Sequence, residues 1–178
     1  RQSSREPILI RVFRNAPRGP LMSAIQDTYP DELAHCYGCG RLNDHGLHLR
    51  TAWDGDETVT RYTPQAWHIA IPGYVNGGLL ASLLDCHGTG TAAAAVYRAE
   101  NRDPGSPPLH RFVTASLKVD YLKPTPLGVE LEVRGRATTV QGRKVVVQAQ
   151  ILVRGETTVT GEIVAVEMPD RMRPSAAP

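Results

Sequence analysis

The chain has 178 residues and a formal net charge of +2 at pH 7. That length suits one domain with a sizeable core and is short for two. The nearly balanced charge, with basic residues scattered along the chain, argues against a dedicated nucleic-acid-binding protein. No apolar run approaches the ~18–20 residues that cross a bilayer, and the apolar residues 8–10 are followed at once by Arg11, unlike a signal peptide. We therefore expect a cytoplasmic protein with neither a nucleic-acid nor a membrane partner.

The first 30 residues are rich in proline and arginine. This composition predicts an N-terminal extension over 1–30 that is partly ordered at best, with a short helix near 21–26. The globular domain is expected at 31–170 and a C-terminal tail at 171–178. No residue of the extension indicates catalysis.

A Cys-x-x-Cys motif, Cys36 and Cys39, follows the extension. The odd total of three cysteines makes a disulfide framework an unlikely fold determinant. With His35, His45 and His48 nearby, the motif fits a zinc knuckle or a redox pair. Structural zinc sites usually have four ligands with a second close pair, which is missing here. We expect no metal, and instead a tight glycine-rich turn whose thiols pack near the mouth of a site.

Two antiparallel strands are predicted next. Apolar and polar residues alternate over 47–53 and again over 58–62, and Asp54-Gly55-Asp56 between them is typical of a hairpin turn. A connector at 64–72 follows.

A helix is predicted from 76 to 98, and its first two turns carry the main functional signal. Gly77 and Gly78 allow close approach to the backbone, and the unpaired N–H donors of a helix start suit a carbonyl oxygen or an oxyanion. Asp85 lies among leucines on nearly the same face as Gly78, roughly 10 Å further along the axis. This pattern is typical of an active site. An Asp on the wet edge of the helix, or one paired with a basic neighbour, fits it as well.

The second half of the predicted helix, 88–95, consists of small residues that let a sheet pack close to the helix axis. Its Gly-Thr-Gly-Thr run lacks the Gly-Lys-Ser/Thr ending of a phosphate loop. Cys86 follows Asp85 but points about 100° away from it, so we interpret Cys86 as a small buried hydrophobe.

Long alternating strands follow a polar loop at 101–108. The period of two predicts that the odd-numbered residues of 113–121, 129–133 and 145–153 face the helix, and a final strand at 159–167 completes an antiparallel sheet. Thr114 falls on the opposite face, where it would suit a subunit interface. Apolar residues such as Val146 on the outer face predict a homo-oligomer that covers them.

Three segments together resemble a known family: Cys36-Tyr37-Gly38-Cys39-Gly40 with Asn43 and Gly46-Leu47, the stretch from Gly73 to Asp85, and the run from Phe112 to Pro126. They are similar to the hotdog-fold acyl-CoA thioesterases, in particular the phenylacetyl-CoA thioesterase-like branch, over about 36–167. The resemblance implies an α+β hotdog fold, with an antiparallel sheet wrapped around one long central helix. The order of strands, helix and further strands fits that fold.

The resemblance also implies roles for single residues. The Gly78 N–H would polarise the thioester carbonyl, Asp85 would act as nucleophile or general base, and Thr114 would position water. Asn76 stands where the family usually has His, so it can orient the carbonyl but cannot exchange a proton near neutral pH. The substrate-binding candidates are Gly77, Tyr74, His68 and Trp67 at the acyl group, with Lys123 and Arg143 for the phosphates of CoA.

The predicted function is hydrolysis of an acyl-CoA to a free acid and CoA, with no cofactor because CoA is part of the substrate. In the family two subunits build two sites across their interface, so the resemblance implies a homodimer or a dimer of dimers in which Asp85 and Gly78 come from different chains. Two alternatives stay open: a non-catalytic acyl-CoA or acyl-carrier binding protein, and a hotdog hydratase or dehydratase that uses His87 near Asp85.

Overall fold

The computed structural model describes residues 23–173. Within them the chain forms an α-helix, six strands and four short 3-10 turns. The bounds of the main elements are β1 Ala52–Asp54, β2 Glu57–Tyr62, α1 Gly77–Ala99, β3 Phe112–Tyr121, β4 Leu131–Gln141, β5 Lys144–Val153 and β6 Glu156–Glu167.

The strands form an antiparallel sheet in the order β1-β2-β4-β5-β6-β3. The helix α1 follows β2 in the chain and packs against β2 through β6. The predicted α+β hotdog fold is therefore confirmed, with β3 at one edge of the sheet. Among residues 23–173 no helix is both long and apolar enough to cross a membrane.

Small residues on α1 bring the sheet close to the helix axis, as the sequence predicts. A Cβ at Gly88 would lie 2.7 Å from a side-chain atom of Ile163 on β6, and one at Gly135 on β4 would lie 2.7 Å from the His87 ring. Val145, Val147 and Ile151 of β5 are fully buried against this surface. The alternation predicted for β5 is thus confirmed.

The alternation predicted for β3 is wrong in its first half. Thr114 pairs with Ala165 and Ser116 pairs with Val164, so Ala115 is an extra residue, a β-bulge. A bulge moves every following side chain to the other face. Before it Phe112 and Thr114 face the helix, and after it Leu117 and Val119 do. Ala115, predicted to lie inside, is exposed.

The first predicted strand is shortened to β1. The backbone N–H groups of Leu47 and Leu49 donate to Tyr37 O and Gly38 O, at 2.8 and 2.9 Å, instead of joining the sheet. His48 between them has φ 51°, outside the extended region. Residues 47–49 therefore bind the turn of Cys36 and Cys39.

The domain core begins earlier than residue 31. Ile25 and Tyr29 are each only 3% exposed and belong to the hydrophobic core, and the Ile25 N–H donates to Thr51 O at 2.9 Å. Ile25–Thr28 is a 3-10 turn where the sequence predicts a short helix near 21–26. Residues 1–22 and 174–178, with the rest of the predicted extension and most of the tail, lie outside the described residues.

Candidate active site

Asn76 is the N-cap of α1, and its side chain occupies the helix start. The Asn76 Oδ1 accepts from the Gly78 N–H at 2.8 Å and from the Leu79 N–H at 3.3 Å. This is the ordinary capping arrangement, in which a side-chain oxygen satisfies donors of the first turn. The Gly78 N–H, predicted to polarise the thioester, is therefore already bonded. The Gly77 N–H has no acceptor among residues 23–173.

The helix start is held in place by the connectors on either side of it. The Val75 N–H donates to Thr125 O and the Asn76 N–H to His68 O, both at 2.9 Å. The Tyr121 hydroxyl at the end of β3 donates to Gly77 O at 2.8 Å. The proline-flanked turn after β3 thereby positions the first turn of α1.

Asp85 lies two turns further along α1, and the fold brings Thr114 to it. The Thr114 hydroxyl donates to Asp85 Oδ1. This hydrogen bond orients the Asp85 carboxylate. Both side chains are half-buried in the single chain, so the carboxylate is still accessible to water. Two residues predicted as catalytic, Asp85 and Thr114, are thus in contact, and their catalytic roles stay predictions. The predicted orientation of Thr114 is wrong, because Thr114 contacts its own helix and does not point away from it.

A pocket of ≈ 310 Å³ opens beside the first turns of α1. That volume is at the small end of ordinary ligand pockets. Four of the predicted site residues contribute to its wall, and four residues were missed. Its lining is Tyr37, Trp67, His68, Ile69, Asn76, Gly78, Leu79 and Ser82.

Ser82 is the missed residue with the clearest sequence signal. It lies four residues after Gly78 and three before Asp85, a spacing that places all three on one helix face. Its hydroxyl donates to Gly78 O at 3.0 Å. Tyr37, by contrast, reaches the pocket from the cysteine turn, and no local pattern predicts that approach.

His68 is held as a neutral ring at the pocket wall. Its Nδ1 accepts from the Gln65 N–H at 2.9 Å, which leaves Nε2 as the protonated nitrogen. Desolvation lowers the pKa of His68. The exposed Trp67 ring lies edge-on to it, with centroids 5.8 Å apart.

Four predicted substrate-binding residues do not line this pocket: Gly77, Tyr74, Lys123 and Arg143. Tyr74 is 41% exposed and bridges to Pro126 through its backbone. Lys123 pairs with Glu156 near the helix start. Arg143 bonds Glu167 O at 3.3 Å, beside the beginning of β3. Since β3 spans about 30 Å, one chain does not bring Lys123 and Arg143 to the same phosphate group.

His87 faces away from Asp85. It is fully buried, with Nδ1 2.9 Å from Thr60 Oγ1 and Nε2 3.3 Å from Thr58 Oγ1 on β2. Burial, together with the positive charge of Arg134, lowers the pKa of His87 to about 3. A hydratase mechanism that uses His87 with Asp85 is therefore inconsistent with the fold.

Comparison with known proteins assigns the family. The family model of the "Thioesterase superfamily" matches residues 72–160, which is half of the chain. A crystal structure of a thioesterase superfamily protein from Shewanella loihica PV-4 is 44% identical, with a TM-score of 0.62, over 81% of this chain and 99% of that one. The chain belongs to the thioesterase superfamily. The prediction of a hotdog thioesterase, and with it of a thioester hydrolase, is confirmed at the level of the family.

Further relatives agree with this assignment. A second thioesterase superfamily structure is 25% identical, with a TM-score of 0.60, over 86% of this chain and 72% of that one. Acyl-coenzyme A thioesterase THEM4 of Xenopus laevis is 31% identical over 93 residues, which are 52% of this chain and 36% of that protein. The chain thus spans little more than a third of that relative's length.

The phenylacetyl-CoA thioesterase-like branch stays a prediction. A phenylacetic acid degradation-related protein from Ralstonia eutropha JMP134 has a TM-score of 0.54 over 67% of this chain and 85% of that one, but it is 17% identical. At that identity the likeness shows the shared fold alone.

Proposed function

We propose that the protein hydrolyses acyl-CoA thioesters to a free acid and CoA. The observation that carries the proposal is the Asp85 carboxylate, held by Thr114 on the helix face that also carries Ser82 and the pocket. The acyl-coenzyme A thioesterase that is 31% identical supports acyl-CoA as the substrate class. The reaction takes no cofactor beyond the CoA of the substrate itself.

Polarisation of the carbonyl is assigned to Gly77 and Asn76. Because Asn76 Oδ1 holds the Gly78 N–H, the donors left at the helix start are the Gly77 N–H and the Asn76 Nδ2 group. Two donors at the positive end of a helix stabilise the negative charge that develops on the thioester oxygen. Gly77, predicted from the sequence as a substrate contact, takes the role first assigned to Gly78.

Asp85 supplies the nucleophile or the general base. As a base it takes a proton from water while the water oxygen bonds to the carbonyl carbon. The tetrahedral intermediate then breaks its C–S bond, CoA leaves as the thiolate, and a proton returns to it. As a nucleophile Asp85 attacks the carbonyl carbon, the C–S bond breaks and CoA leaves as the thiolate, which takes up a proton. Water then hydrolyses the resulting anhydride to the free acid and the Asp85 carboxylate. Thr114 holds Oδ1 in either case, and Oδ2 is left for water or the carbonyl carbon.

This chemistry requires two chains. Gly77 and Asp85 are eight residues apart on one helix, about 12 Å along the axis, whereas the donor and the attacking group must both reach one carbonyl within about 3–3.5 Å. A second copy must therefore supply one of the two groups. The exposed apolar side chains Trp67, Ile69 and Ile71 beside the pocket provide surface for such a partner. We propose a homodimer, or a dimer of dimers, with shared sites.

The test is turnover of a panel of short-chain, long-chain and aromatic acyl-CoAs, measured by release of free thiol. We expect turnover by the wild type and a loss of about 10²–10⁴-fold in Asp85→Asn, the usual range for a missing general base. Circular dichroism and acyl-CoA binding should be unchanged, because Asn is nearly isosteric with Asp. Near-normal turnover by Asp85→Asn contradicts the role of Asp85. Binding without turnover by the wild type on every substrate favours the non-catalytic binding protein.

Isotope labelling separates the two roles of Asp85. In a single turnover in oxygen-18 water, label in the enzyme carboxylate indicates the anhydride, and label only in the acid product indicates direct attack by water.

A further inference from the structure

The fold gathers the three cysteines of the chain into one cluster. Cys36 and Cys39 lie in the turn before β1, and Cys86 lies on α1, fifty residues after Cys36. Their three sulfur atoms lie within 4.8 Å of one another, and the Sγ atoms of Cys36 and Cys86 are 3.7 Å apart. All three thiols are free. The proposed hydrolysis uses none of them.

The spacing of the sulfurs fits a bound metal ion. Four ligands at a Zn–S distance of about 2.3 Å, arranged as a tetrahedron, lie about 3.8 Å from one another. The Cys36–Cys86 separation of 3.7 Å matches that edge. A disulfide would need the two sulfurs at about 2.05 Å.

The turn is built to present Cys36 toward Cys86. The Cys36 sulfur lies within hydrogen-bonding distance of the Cys86 sulfur, at 3.7 Å. Gly38 leaves the space that Cys86 fills, since a Cβ there would lie 2.2 Å from the Cys86 sulfur. Gly40 closes the turn with a 2.8 Å bond to Cys36 O, and a Cβ at Gly40 would lie 2.4 Å from Cys36 N.

A cation lies near the cluster. The Arg111 guanidinium packs over the ring of Tyr29, 4.5 Å from its centroid, and interacts electrostatically with all three cysteines. Among residues 23–173 no carboxylate lies within 4.0 Å of the Arg111 guanidinium. Three thiolates around a divalent ion carry one net negative charge, which this half-buried guanidinium would balance.

We propose that Cys36, Cys39 and Cys86 bind one Zn²⁺ ion through their sulfur atoms. Zinc takes thiolate ligands in tetrahedral sites, and each thiol releases its proton to solvent as its Zn–S bond forms. The fourth position is left for water or another small ligand. Cys36 is half-buried, which provides the path of entry. The sequence predicted no metal because it has no second close pair of ligands, and Cys86, which completes the cluster, lies fifty residues after Cys36.

The ion would cross-link two parts of the site. It would tie the cysteine turn to α1 at the residue that follows Asp85, and it would hold Tyr37, which lies between two ligands and lines the pocket. Its role is structural, and the hydrolysis proposed above does not depend on it.

The test is metal content and binding in the full 178-residue chain, kept reduced throughout. The chain is stripped with a chelator and then titrated with Zn²⁺, and separately with Co²⁺. We expect one ion per chain, a sulfur-to-cobalt charge-transfer band and a rise in Tm on adding zinc. Cys36→Ser and Cys86→Ala should lose the bound zinc, the cobalt band and the rise in Tm.

His35→Ala is the matched control. His35 adjoins Cys36, is exposed, and would be a ligand in the zinc knuckle considered from the sequence. It should bind zinc as the wild type does. The proposal is overturned if the reduced wild type, folded by circular dichroism, binds no more zinc than a variant with all three cysteines replaced, or if Cys86→Ala retains the ion. Cys86 is buried, so its replacement can prevent folding. If Cys86→Ala fails to fold, Cys36→Ser at the half-buried position decides the test in the same way.

Discussion

Asn76 has a capping role and a proposed catalytic role at the start of α1. Its Oδ1 caps the first turn, and its Nδ2 is the donor proposed above for the thioester carbonyl. Where the family resemblance implies His, this chain thus has a residue that stabilises the helix and can still orient a carbonyl. The two roles reside on different atoms, so substitutions can separate them.

Asn76→Asp should lose activity without losing stability. Asp caps as well as Asn and places a favourable negative charge at the helix start, but it has no amide donor. We expect Tm to be unchanged or higher, and kcat to fall by about 10²-fold, the usual effect of removing one such donor. Asn76→Ala should lose both kcat and about 1 kcal/mol of stability. Thermal denaturation and steady-state kinetics check this, and a fully active Asn76→Asp would show that Nδ2 does not contact the carbonyl.

His87 should make the fold sensitive to acid. Because burial and then Arg134 lower its folded pKa to about 3, the unfolded chain binds a proton near pH 6.5 that the folded chain does not accept. The free energy of unfolding from this residue therefore falls as pH decreases from 6.5 toward 3, by up to about 1.4 kcal/mol per pH unit. Above pH 6.5 the full stability contribution of the neutral His87 is present.

The measurement is urea denaturation of the wild type and His87→Gln at several pH values. Gln stays neutral, so the difference between the two curves isolates His87 from other histidines. We expect the wild type to lose more stability on acidification than the variant, whatever their stabilities at pH 7. Parallel curves would mean that His87 accepts a proton in the folded state.

At the scale of elements, α1 and β3 show how close packing limits sequence inference. The alternation of β3 is visible in the sequence and predicts the correct faces after Ala115. Because Ala115 is an extra residue, the side chains before it lie on the face opposite to the predicted one. This reversal is what brings Thr114 to Asp85. A bulge changes the pairing between two strands, and a single strand's pattern does not contain that information.

The close packing of α1 predicts an inverted effect at Gly88. Gly→Ala inside a helix ordinarily stabilises by about 0.5–1 kcal/mol. Here the new Cβ would lie 2.7–2.8 Å from three atoms of Ile163 on β6, and overpacking of this kind costs about 1–3 kcal/mol. We expect Gly88→Ala to destabilise. Ala95→Gly is the comparison at a half-buried position of the same helix. It should lower the free energy of unfolding by about 1 kcal/mol, because Gly has a lower helix propensity than Ala. Chemical denaturation measures both, and a stabilised Gly88→Ala would contradict the packing described.

At the scale of the whole molecule, the shared site predicts complementation between two inactive variants. Gly77→Pro removes the N–H donor at the first helical position, where proline is tolerated, and Asn76 before it has ψ 132°, which proline favours. Gly77→Ala is the matched control, because it keeps the N–H and adds the same Cβ beside Tyr121. We expect Gly77→Pro and Asp85→Asn to be inactive alone and Gly77→Ala to be active.

Mixed dimers should regain activity. If Gly77 of one chain serves Asp85 of the other, each mixed dimer has one intact site, and co-expression at equal levels should restore about a quarter of wild-type turnover. Two affinity tags verify that mixed oligomers form. No recovery in verified mixed dimers would place both groups of each site on one chain and contradict the shared site.

The sequence by itself determined the helix of α1 to within about a residue at each end and the presence of six strands, although the predicted bounds of β1 and β4 differ from the structure. These elements follow from local patterns, a period of two or 3.6 and glycines at turns, which a chain carries along its own length. The sequence also predicted the fold class and the candidate carboxylate, through the order of these elements, the Gly-Gly and Asp pattern and the family resemblance. It also contained two signals that went unused: the capping preference of Asn76 and the spacing of Ser82. Only the tertiary structure decided two contacts of the candidate active site: Asn76 accepts from the Gly78 N–H, and Thr114 donates to Asp85. It also decided that Tyr37 lines the pocket and that Cys86 lies beside Cys36 and Cys39. Those contacts join residues tens of positions apart, and they depend on strand pairing, a bulge and close helix packing, which the linear sequence does not display.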